Sequence, residues 1–309
     1  MKFALIGNGN IAPQYIQAFR RHTDNVVICS RTLKNSIYPQ TTDLSSPEVL
    51  SADFICIATP PYLHYTMAKY FLDKAKKVIL EKPAVTTPEE LEKLSRHPQS
   101  KNLYLAYHSA FNPVVLDAAS LFGMHEIRSV EINYAEDVFF YHPNKDGWLF
   151  QKALSGGGCL ADSGINIFSI LYKFLPKMKF VEGSFTQNHF NVEDSLNLSL
   201  LSQSGVRVKI TMDWLSKKEK RKFTLHGANS KVIFDLATNK IILNGKNISP
   251  LKKDGGRVDQ YAEYGNMLAD ALNYFNNGKT KLGYKSELPL KTVFEIYNRI
   301  EQVNQFRNF

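Results

Sequence analysis

The stretch Phe3-Ala4-Leu5-Ile6-Gly7-Asn8-Gly9-Asn10-Ile11-Ala12 decides the fold of this chain. Its first four residues form an apolar run of strand length, and Ile11 to Arg21 has the spacing of a helix. Between them, Gly7 allows a tight turn and Gly9 lets another molecule approach the backbone. The small Ala12 lets the helix pack closely on the strand. The stretch therefore predicts a strand, a glycine turn and a helix, which begin a βαβ unit.

The rest of the first half alternates short apolar runs with helical patterns, as in βαβ units around a parallel sheet. The first helix is expected to face inward through Ile16 and Phe19. Further helices are expected after Pro60-Pro61 and over 88–94, where Thr87 is the expected N-cap. The expected strands are residues 3–6, 26–29, 53–58, 77–80 and 103–107.

The second half changes to short β-rich segments joined by tight turns, which predict a large and mostly antiparallel sheet. A helix is expected to begin at Leu160, and the lysine-rich segment 217–222 is expected to be a solvated hairpin turn. The expected strands are 127–138, 179–189, 195–202, 206–213, 222–226, 231–235 and 240–243, with closing helices near 259–276 and 288–304.

Length and composition agree with two α/β domains. A chain of 309 residues is too long for one ordinary core, and its 44% hydrophobic and 22% charged residues are typical of globular proteins. We expect an N-terminal Rossmann domain over 1–118 and a C-terminal α/β domain with an open sheet over 119–309. This division leaves open that the C-terminal helix packs on the first domain.

Composition also limits the partners. The N-terminal apolar run is too short for a signal peptide, and no run is long enough to span a membrane. The three widely spaced cysteines argue against a disulfide framework and a zinc site, so we expect a cytoplasmic protein without a metal. The net charge of +9 is not accompanied by a nucleic-acid-binding motif, and it suits a phosphorylated cofactor or substrate.

The glycine turn in its strand and helix context predicts a dinucleotide site. The end of the second strand carries Ser30-Arg31 where an acidic residue would favour NAD, so we expect NADP, with NAD possible and a merely solvent-facing Arg31 as the alternative. The residues expected at the cofactor are Gly7, Asn8, Gly9, Asn10, Ile11, Ser30, Arg31, Thr59, Pro60, His64, Glu81 and Lys82.

Three residues are expected to carry chemistry. Lys82, in Glu81-Lys82-Pro83, follows a predicted central strand at the edge where open α/β sheets place ligands. Asp162 and Asn166 are four residues apart, hence on one helical face, after a run of three glycines that allows a ligand to approach the backbone. The alternatives are a solvated surface lysine and a structural hydrogen-bond pair.

Other polar side chains are candidates for substrate binding. His108 follows the fifth strand, and His142 lies shortly before Trp148 and the glycine run. All three are expected to contact the substrate, and the alternative for each histidine is a structural role, which is the more common one for a histidine seen alone. Glu136 or Asp137 is expected to contribute specificity from the sheet.

Several motifs together resemble one family. GNGNIA, ATPPYLH, EKP, GGGCLADSGIN and the β-rich second half resemble the glucose-fructose oxidoreductase, inositol dehydrogenase and MocA-like family over essentially the full length. Most members carry histidine four residues after the aspartate, whereas this chain carries Asn166, which looks like the aldose 1-dehydrogenase branch. The resemblance implies that Lys82, Asp162 and Asn166 meet a sugar. It also implies a homodimer or homotetramer formed through the C-terminal sheet.

These observations lead to one hypothesis and its rivals. We expect oxidation of an aldose of L-arabinose or D-galactose type at C1 to a lactone, with Asp162 or Lys82 as the base and Asn166 orienting the hydroxyl. The same family contains the alternatives of a nucleotide-sugar or an inositol dehydrogenase. A non-catalytic, NADP-binding sensor or regulatory protein is the alternative from another class.

Overall fold

The computed structural model describes residues 1–34, 36–121, 127–249 and 260–307. The helices are α1 (Ala12–Arg20), α2 (Pro47–Leu50), α3 (His64–Asp73), α4 (Pro88–Ser95), α5 (Pro113–Leu121), α6 (Val138–Tyr141), α7 (Lys152–Ser155), α8 (Ile165–Leu171), α9 (Gln260–Asn277) and α10 (Leu288–Arg307). A π-helical turn, Leu160–Gly164, leads directly into α8.

The strands are β1 (Phe3–Ile6), β2 (Val26–Cys29), β3 (Gln40–Thr41), β4 (Phe54–Ile57), β5 (Lys77–Glu81), β6 (Leu103–Ala106), β7 (Ile127–Asp137), β8 (Met178–Thr186), β9 (Ser195–Ser202), β10 (Arg207–Asp213), β11 (Leu215–Gly227), β12 (Lys231–Asp235), β13 (Lys240–Leu243) and β14 (Lys246–Asn247). The strands predicted in both halves are confirmed within a few residues at their ends, as are the two closing helices, except that the strand predicted over 222–226 begins at Leu215. Residue 259, where the first of these helices was expected to begin, lies outside the described residues.

The chain divides into two compact units. The first contains Met1–Phe111 and Gln260–Glu287, and the second contains Asn112–Asp259 and Leu288–Phe309. The division therefore falls seven residues before the expected boundary at 118, and α9 belongs to the first unit. Within the described residues, no helix is both long and apolar enough to cross a membrane.

The first unit is built on a parallel sheet with the strand order β3-β2-β1-β4-β5-β6. Strands β1, β2 and β4 are buried along their whole length, as expected for a sheet covered on both faces. The order reverses between β1 and β4, and ligands of open α/β sheets bind at the carboxyl edge beside such a reversal. The predicted Rossmann fold is confirmed.

One detail of the first helix differs from the prediction. Phe19 is buried as expected, but Ile16 is only half-buried, and Tyr15 is the fully buried neighbour. Tyr15 faces the core because its hydroxyl donates a hydrogen bond to the buried carboxylate of Glu81 at 3.0 Å. A tyrosine can be buried in this way when its polar end has a partner.

The second unit is built on a sheet with the strand order β14-β13-β12-β11-β7-β10-β9-β8. Among the described strands, β10 and β7 pair in parallel and the other neighbours are antiparallel, which confirms the mostly antiparallel sheet. Burial alternates along β9 and β10, so one face is apolar and the other is polar. On the second unit's sheet, α10 packs against β8 and α5 against β12.

The lysine-rich segment is not the hairpin turn that was predicted. Residues 217–222 lie inside the long strand β11, whose pairing with β7 is interrupted between Leu215 and Lys220. Lys220 and Lys222 are exposed, whereas Arg221 between them is buried, because alternate residues of a strand point to opposite faces.

Candidate active site

Candidate residues fall in both units, and the first group surrounds the glycine turn after β1. Gly7 has φ +108°, a conformation that favours glycine, and its amide donates to the carbonyl of Cys29 at 2.8 Å. A Cβ at Gly7 would lie 2.4 Å from the carbonyl oxygen of Ala58. The fold itself therefore requires this glycine.

Gly9 differs from Gly7. A Cβ built on Gly9 has no atom of the described residues within 4 Å, so these residues leave open space beside it. Ala12 is buried at the start of α1, and the first turn of α1 contains no acidic residue. An open backbone at a helix N-terminus without competing carboxylates fits a pyrophosphate. The turn from Gly7 through Asn8, Gly9, Asn10 and Ile11 thus has the shape that a dinucleotide needs.

The end of β2 carries the residues expected to select the cofactor. Ser30 is half-buried, and its hydroxyl accepts from the amide of Thr32 at 3.4 Å, while Arg31 is exposed. Lys34, which the sequence interpretation missed, donates from Nζ to the carbonyl of Asn8 at 2.5 Å. This contact brings a cation beside the glycine turn. In the sequence, the one indication of this role is that a lysine lies three residues after Arg31.

The end of β4 carries Thr59, Pro60 and His64. Thr59 and Pro60 are half-buried, but His64 is fully buried, and its Nδ1 and Nε2 lie 2.8 Å from the Pro83 carbonyl and 2.7 Å from the Thr59 carbonyl. Burial lowers the pKa of the imidazole. His64 therefore links the turns that follow β4 and β5. We expect it to support cofactor binding by holding these turns and not by direct contact.

Glu81 also has a structural role that the sequence interpretation missed. One carboxylate oxygen accepts hydrogen bonds from the hydroxyls of Tyr15 and Tyr264, at 3.0 and 2.9 Å. The other accepts from the amide of Lys82 at 2.9 Å. The buried carboxylate thereby fixes the backbone from which the half-buried Lys82 side chain extends, at the carboxyl end of β5.

His108 is buried after β6 and has a carboxylate partner. Its Nδ1 lies 2.6 Å from Oε2 of Glu263, and its ring stacks on Tyr264 with centroids 4.8 Å apart. The contact with Glu263 orients Nε2 away from that carboxylate and restrains the ring. Glu263 could not have been found from sequence proximity, because it lies 155 residues further along the chain.

In the second unit, Asp162 and Asn166 lie where the π-helical turn joins α8. Asp162 is half-buried, and Asn166 is 7% exposed. The Oδ1 atom of Asn166 is buried and has no hydrogen-bond partner within the described parts of the chain. A buried amide oxygen without a donor is unfavourable by about 1–3 kcal/mol, so it marks a position where a ligand hydroxyl could donate. The π-helical turn is a form found frequently at functional sites.

The glycine run before this helix serves a purpose other than the predicted one. A Cβ at Gly157 would collide with the hydroxyl of Tyr297, and one at Gly158 would lie 2.1 Å from the carbonyl oxygen of Glu193. The Glu193 carboxylate accepts from the amides of Gly158 and Leu160, at 2.9 and 3.0 Å, and from Tyr297. The close approach is therefore made by the chain's own residues.

The remaining substrate candidates are also in the second unit. His142 and Trp148 are half-buried and meet edge to face, with ring centroids 5.8 Å apart. Glu136 is buried and bonded to Ser163, Trp214 and Arg221, which argues against its expected contact with a sugar. Asp137 caps α6 through the amide of Phe139 and pairs with Lys217.

The first unit's sheet order and open glycine turn are those of a dinucleotide-binding Rossmann domain. A family model described as an oxidoreductase family with an NAD-binding Rossmann fold matches residues 1–108, and a GFO/IDH/MocA C-terminal domain model matches 125–233. The chain belongs to the GFO/IDH/MocA family of oxidoreductases.

Known proteins give the same assignment. Galactose 1-dehydrogenase of Pseudomonas fluorescens is 25% identical over 205 residues, which are 65% of this chain and 66% of that protein, just under two thirds of its length. A putative UDP-kanosamine synthase oxidoreductase subunit of Amycolatopsis mediterranei is 24% identical over 271 residues, 76% of this chain and 75% of that protein. A solved D-galactose-1-dehydrogenase structure from Rhizobium etli is similar with a TM-score of 0.79 and 22% identity, covering 96% and 94% of the two chains.

These comparisons confirm the predicted family, the oxidoreductase class and the nicotinamide dinucleotide cofactor. The structural likeness, at its low sequence identity, supports the fold alone. The roles of individual residues, the preference for NADP and the identity of the sugar stay predictions.

Proposed function

We propose that the chain is an NADP-dependent dehydrogenase that oxidises C1 of a free aldose of L-arabinose or D-galactose type to a lactone. The observation that carries this proposal is the buried Oδ1 of Asn166, one helical turn after Asp162, for which the described residues provide no hydrogen-bond partner. An acceptor in that position suits a donor hydroxyl on the substrate. The similarity to galactose 1-dehydrogenase supports an aldose as the substrate.

The residues account for the proton that the reaction releases. When bound, NADP supplies the acceptor for the hydride that leaves C1. Asp162 or an uncharged Lys82 takes the proton from the C1 hydroxyl, and where Asp162 takes it, the Lys82 ammonium stabilises the developing charge on oxygen. Asn166 orients the hydroxyl, since an amide accepts and donates without titrating.

The cations near β2 support NADP over NAD. Arg31 is exposed and can pair with two oxygens of a phosphate, and Lys34 is held beside Asn8 by the 2.5 Å contact of its Nζ. No acidic residue occupies 30–34 to repel a 2′-phosphate. We therefore propose that Ser30, Arg31 and Lys34 bind that phosphate.

Nucleotide-sugar oxidation is the second candidate. It is favoured by the similarity to the putative UDP-kanosamine synthase oxidoreductase subunit, which extends over more of this chain than the similarity to galactose 1-dehydrogenase. A nucleotide sugar would be recognised through its diphosphate in addition to its sugar hydroxyls. Activity with nucleotide sugars but with no free aldose would favour this candidate.

We further propose a homodimer or homotetramer formed through the second unit's sheet, in the cytoplasm. The polar sheet face carries Asn133, Thr211 and Asn197 in one row, with Thr211 donating to Asn197 at 3.2 Å. All three cysteines are buried thiols, which suits a reducing compartment. Light scattering of the purified protein tests the assembly, and a monomeric mass would contradict it.

The function is tested with the purified full chain, NADP or NAD, and a panel of free aldoses, inositols and nucleotide sugars. We expect the ultraviolet absorbance of reduced nicotinamide to grow fastest with NADP and a free aldose. Turnover only with an inositol or a nucleotide sugar would replace the proposed substrate. Cofactor binding without turnover on any sugar would instead favour a sensor.

A further inference from the structure

A buried guanidinium lies at the centre of a charged network in the second unit. The side chain of Arg221 on β11 is 7% exposed, and its Nη2 donates to Glu136 at 3.0 Å and forms an ion pair with Glu219 at 2.8 Å. The rings of Tyr134 and Tyr141 flank it at 5.4 and 5.5 Å. The guanidinium thus connects β7, β11 and α6.

One arm of this network reaches the residue next to Asp162. The Glu136 oxygen that does not bind Arg221 accepts from the hydroxyl of Ser163 and, at 3.1 Å, from the indole of Trp214. The same indole donates to the Ser163 hydroxyl at 2.8 Å. Ser163 is consequently fixed on the sheet side of the π-helical turn, while the adjacent Asp162 is half-buried.

The other arm reaches the residue next to His142. Nη2 of Arg221 donates to the hydroxyl of Tyr141 at 3.2 Å, and that hydroxyl donates to Glu219 at 2.7 Å. Tyr141 is the last residue of α6, and His142 follows it with its ring against Trp148. One guanidinium therefore restrains the neighbours of two candidate substrate residues.

Packing of the sheet alone does not account for a cation at this position. The next inward-facing residues of β11, Phe223 and Leu225, are apolar and fully buried. A hydrophobic side chain is often at least as stabilising as a buried ion pair. A planar guanidinium, however, holds its donors in fixed directions, whereas an apolar side chain has no donor and a lysine ammonium rotates on a flexible stem.

We propose that Arg221 is a positioning residue for sugar oxidation, which orients Asp162 through Glu136 and Ser163, and His142 through Tyr141. This inference rests on the proposed function of Asp162 and His142. It predicts that the two arms affect different steps. Loss of the Ser163 arm should lower kcat, because Asp162 takes part in proton transfer, and loss of the Tyr141 arm should raise KM, because His142 contacts the sugar.

The test compares Ser163→Ala, Tyr141→Phe, Arg221→Lys and Arg221→Met in the full chain, with Lys222→Met, an exposed neighbour, as the matched control. We expect Ser163→Ala to lower kcat and Tyr141→Phe to raise KM, each about tenfold, and Arg221→Met to lower kcat/KM by about 100-fold. Arg221→Lys should recover only part of that loss. NADPH affinity should stay within about twofold of the parent in every variant.

The outcomes separate this inference from the proposed function. If the parent chain turns over an aldose while Ser163→Ala and Tyr141→Phe match it in kcat and KM, the positioning role is wrong and the function stands. If the parent oxidises no sugar, the function is wrong. A crystal structure of the Ser163→Ala and Tyr141→Phe double variant is independent of turnover, and unmoved Asp162 and His142 side chains would overturn the positioning role in either case.

Discussion

The hydroxyl of Tyr264 donates a hydrogen bond to the carboxylate of Glu81 at 2.9 Å, across 183 residues of sequence. Glu81 is the last residue of β5. Tyr264 lies in the first turns of α9, which follows all strands of the second unit's sheet in the sequence. The hydrogen bond therefore ties α9 to the end of β5, directly before Lys82. The first unit is thus built from two separate stretches of the sequence, Met1–Phe111 and Gln260–Glu287.

Tyr264→Phe should reduce the stability of the chain. The change leaves the aromatic packing on His108 and Tyr15 in place and removes a buried donor to a carboxylate, so we expect a loss of about 1–3 kcal/mol in the free energy of unfolding. Urea denaturation measures it. Tyr261→Phe, at a residue 43% exposed on the same helix, is the control, and equal stability of the two variants would contradict the prediction.

Alanine at the two glycines of the first turn should affect different properties, namely stability at Gly7 and cofactor affinity at Gly9. Gly7→Ala meets a positive φ and the Ala58 carbonyl, so we expect it to destabilise the fold by about 1–3 kcal/mol or more. Gly9→Ala meets no atom within 4 Å in the part of the chain that the structure describes, so thermal unfolding of the free chain should hardly change. Its NADPH affinity should fall about tenfold or more, because the methyl group lies where the pyrophosphate approaches. Unchanged affinity in Gly9→Ala would refute the assigned cofactor position.

Lys82→Met should abolish turnover and leave NADPH affinity nearly intact. The side chain is half-buried at the carboxyl end of β5, and methionine retains most of its length without the ammonium. Initial rates and a fluorescence titration with NADPH measure the two effects. Lys101→Met, at an exposed lysine, is the control. Retained turnover in Lys82→Met would remove Lys82 from the mechanism.

The second unit should lose stability in acid when the carboxylate of Asp194 is protonated. Burial opposes ionisation of its carboxyl, but hydrogen bonds from His189, Thr186 and nearby amides outweigh burial and lower its pKa below 3.8. The ionised form therefore stabilises the fold above pH 3.8, and this contribution is lost as the pH falls through the lowered pKa.

Asp194→Asn tests this dependence. We expect it to unfold more easily by about 1 kcal/mol at neutral pH, and the difference from the parent should shrink as the pH falls below 3.8. Urea denaturation over a pH series is the measurement, with Asp146→Asn at an exposed position as the control. A difference that stays constant down to acid pH would show that the charge of Asp194 is not involved.

The sequence was sufficient for features that depend on local pattern. Apolar runs, glycine turns and the Thr87 N-cap, which accepts from the Glu90 amide, are set by neighbouring residues and were predicted correctly. Alternation along β11 also contained the signal that Arg221 points inward, but the density of lysines suggested a turn instead.

Partners distant in sequence could not be predicted in this way. Glu263 beside His108, and Glu193 with Tyr297 at the glycine run, are brought together only by the completed sheets and helices. The glycine run shows the consequence. Its small residues correctly indicated a close approach, but a sequence does not reveal whether a ligand or the chain itself makes that approach.

The central claim is that this chain transfers a hydride from a free aldose to NADP. Its most direct test is the initial rate of nicotinamide reduction by the purified full chain with D-galactose or L-arabinose, measured beside the Asn166→Ala variant. The account predicts turnover by the parent chain that depends on both the sugar and NADP, and a rate for Asn166→Ala lower by about tenfold or more. Absence of turnover with every free aldose, or an Asn166→Ala rate equal to that of the parent, would contradict it.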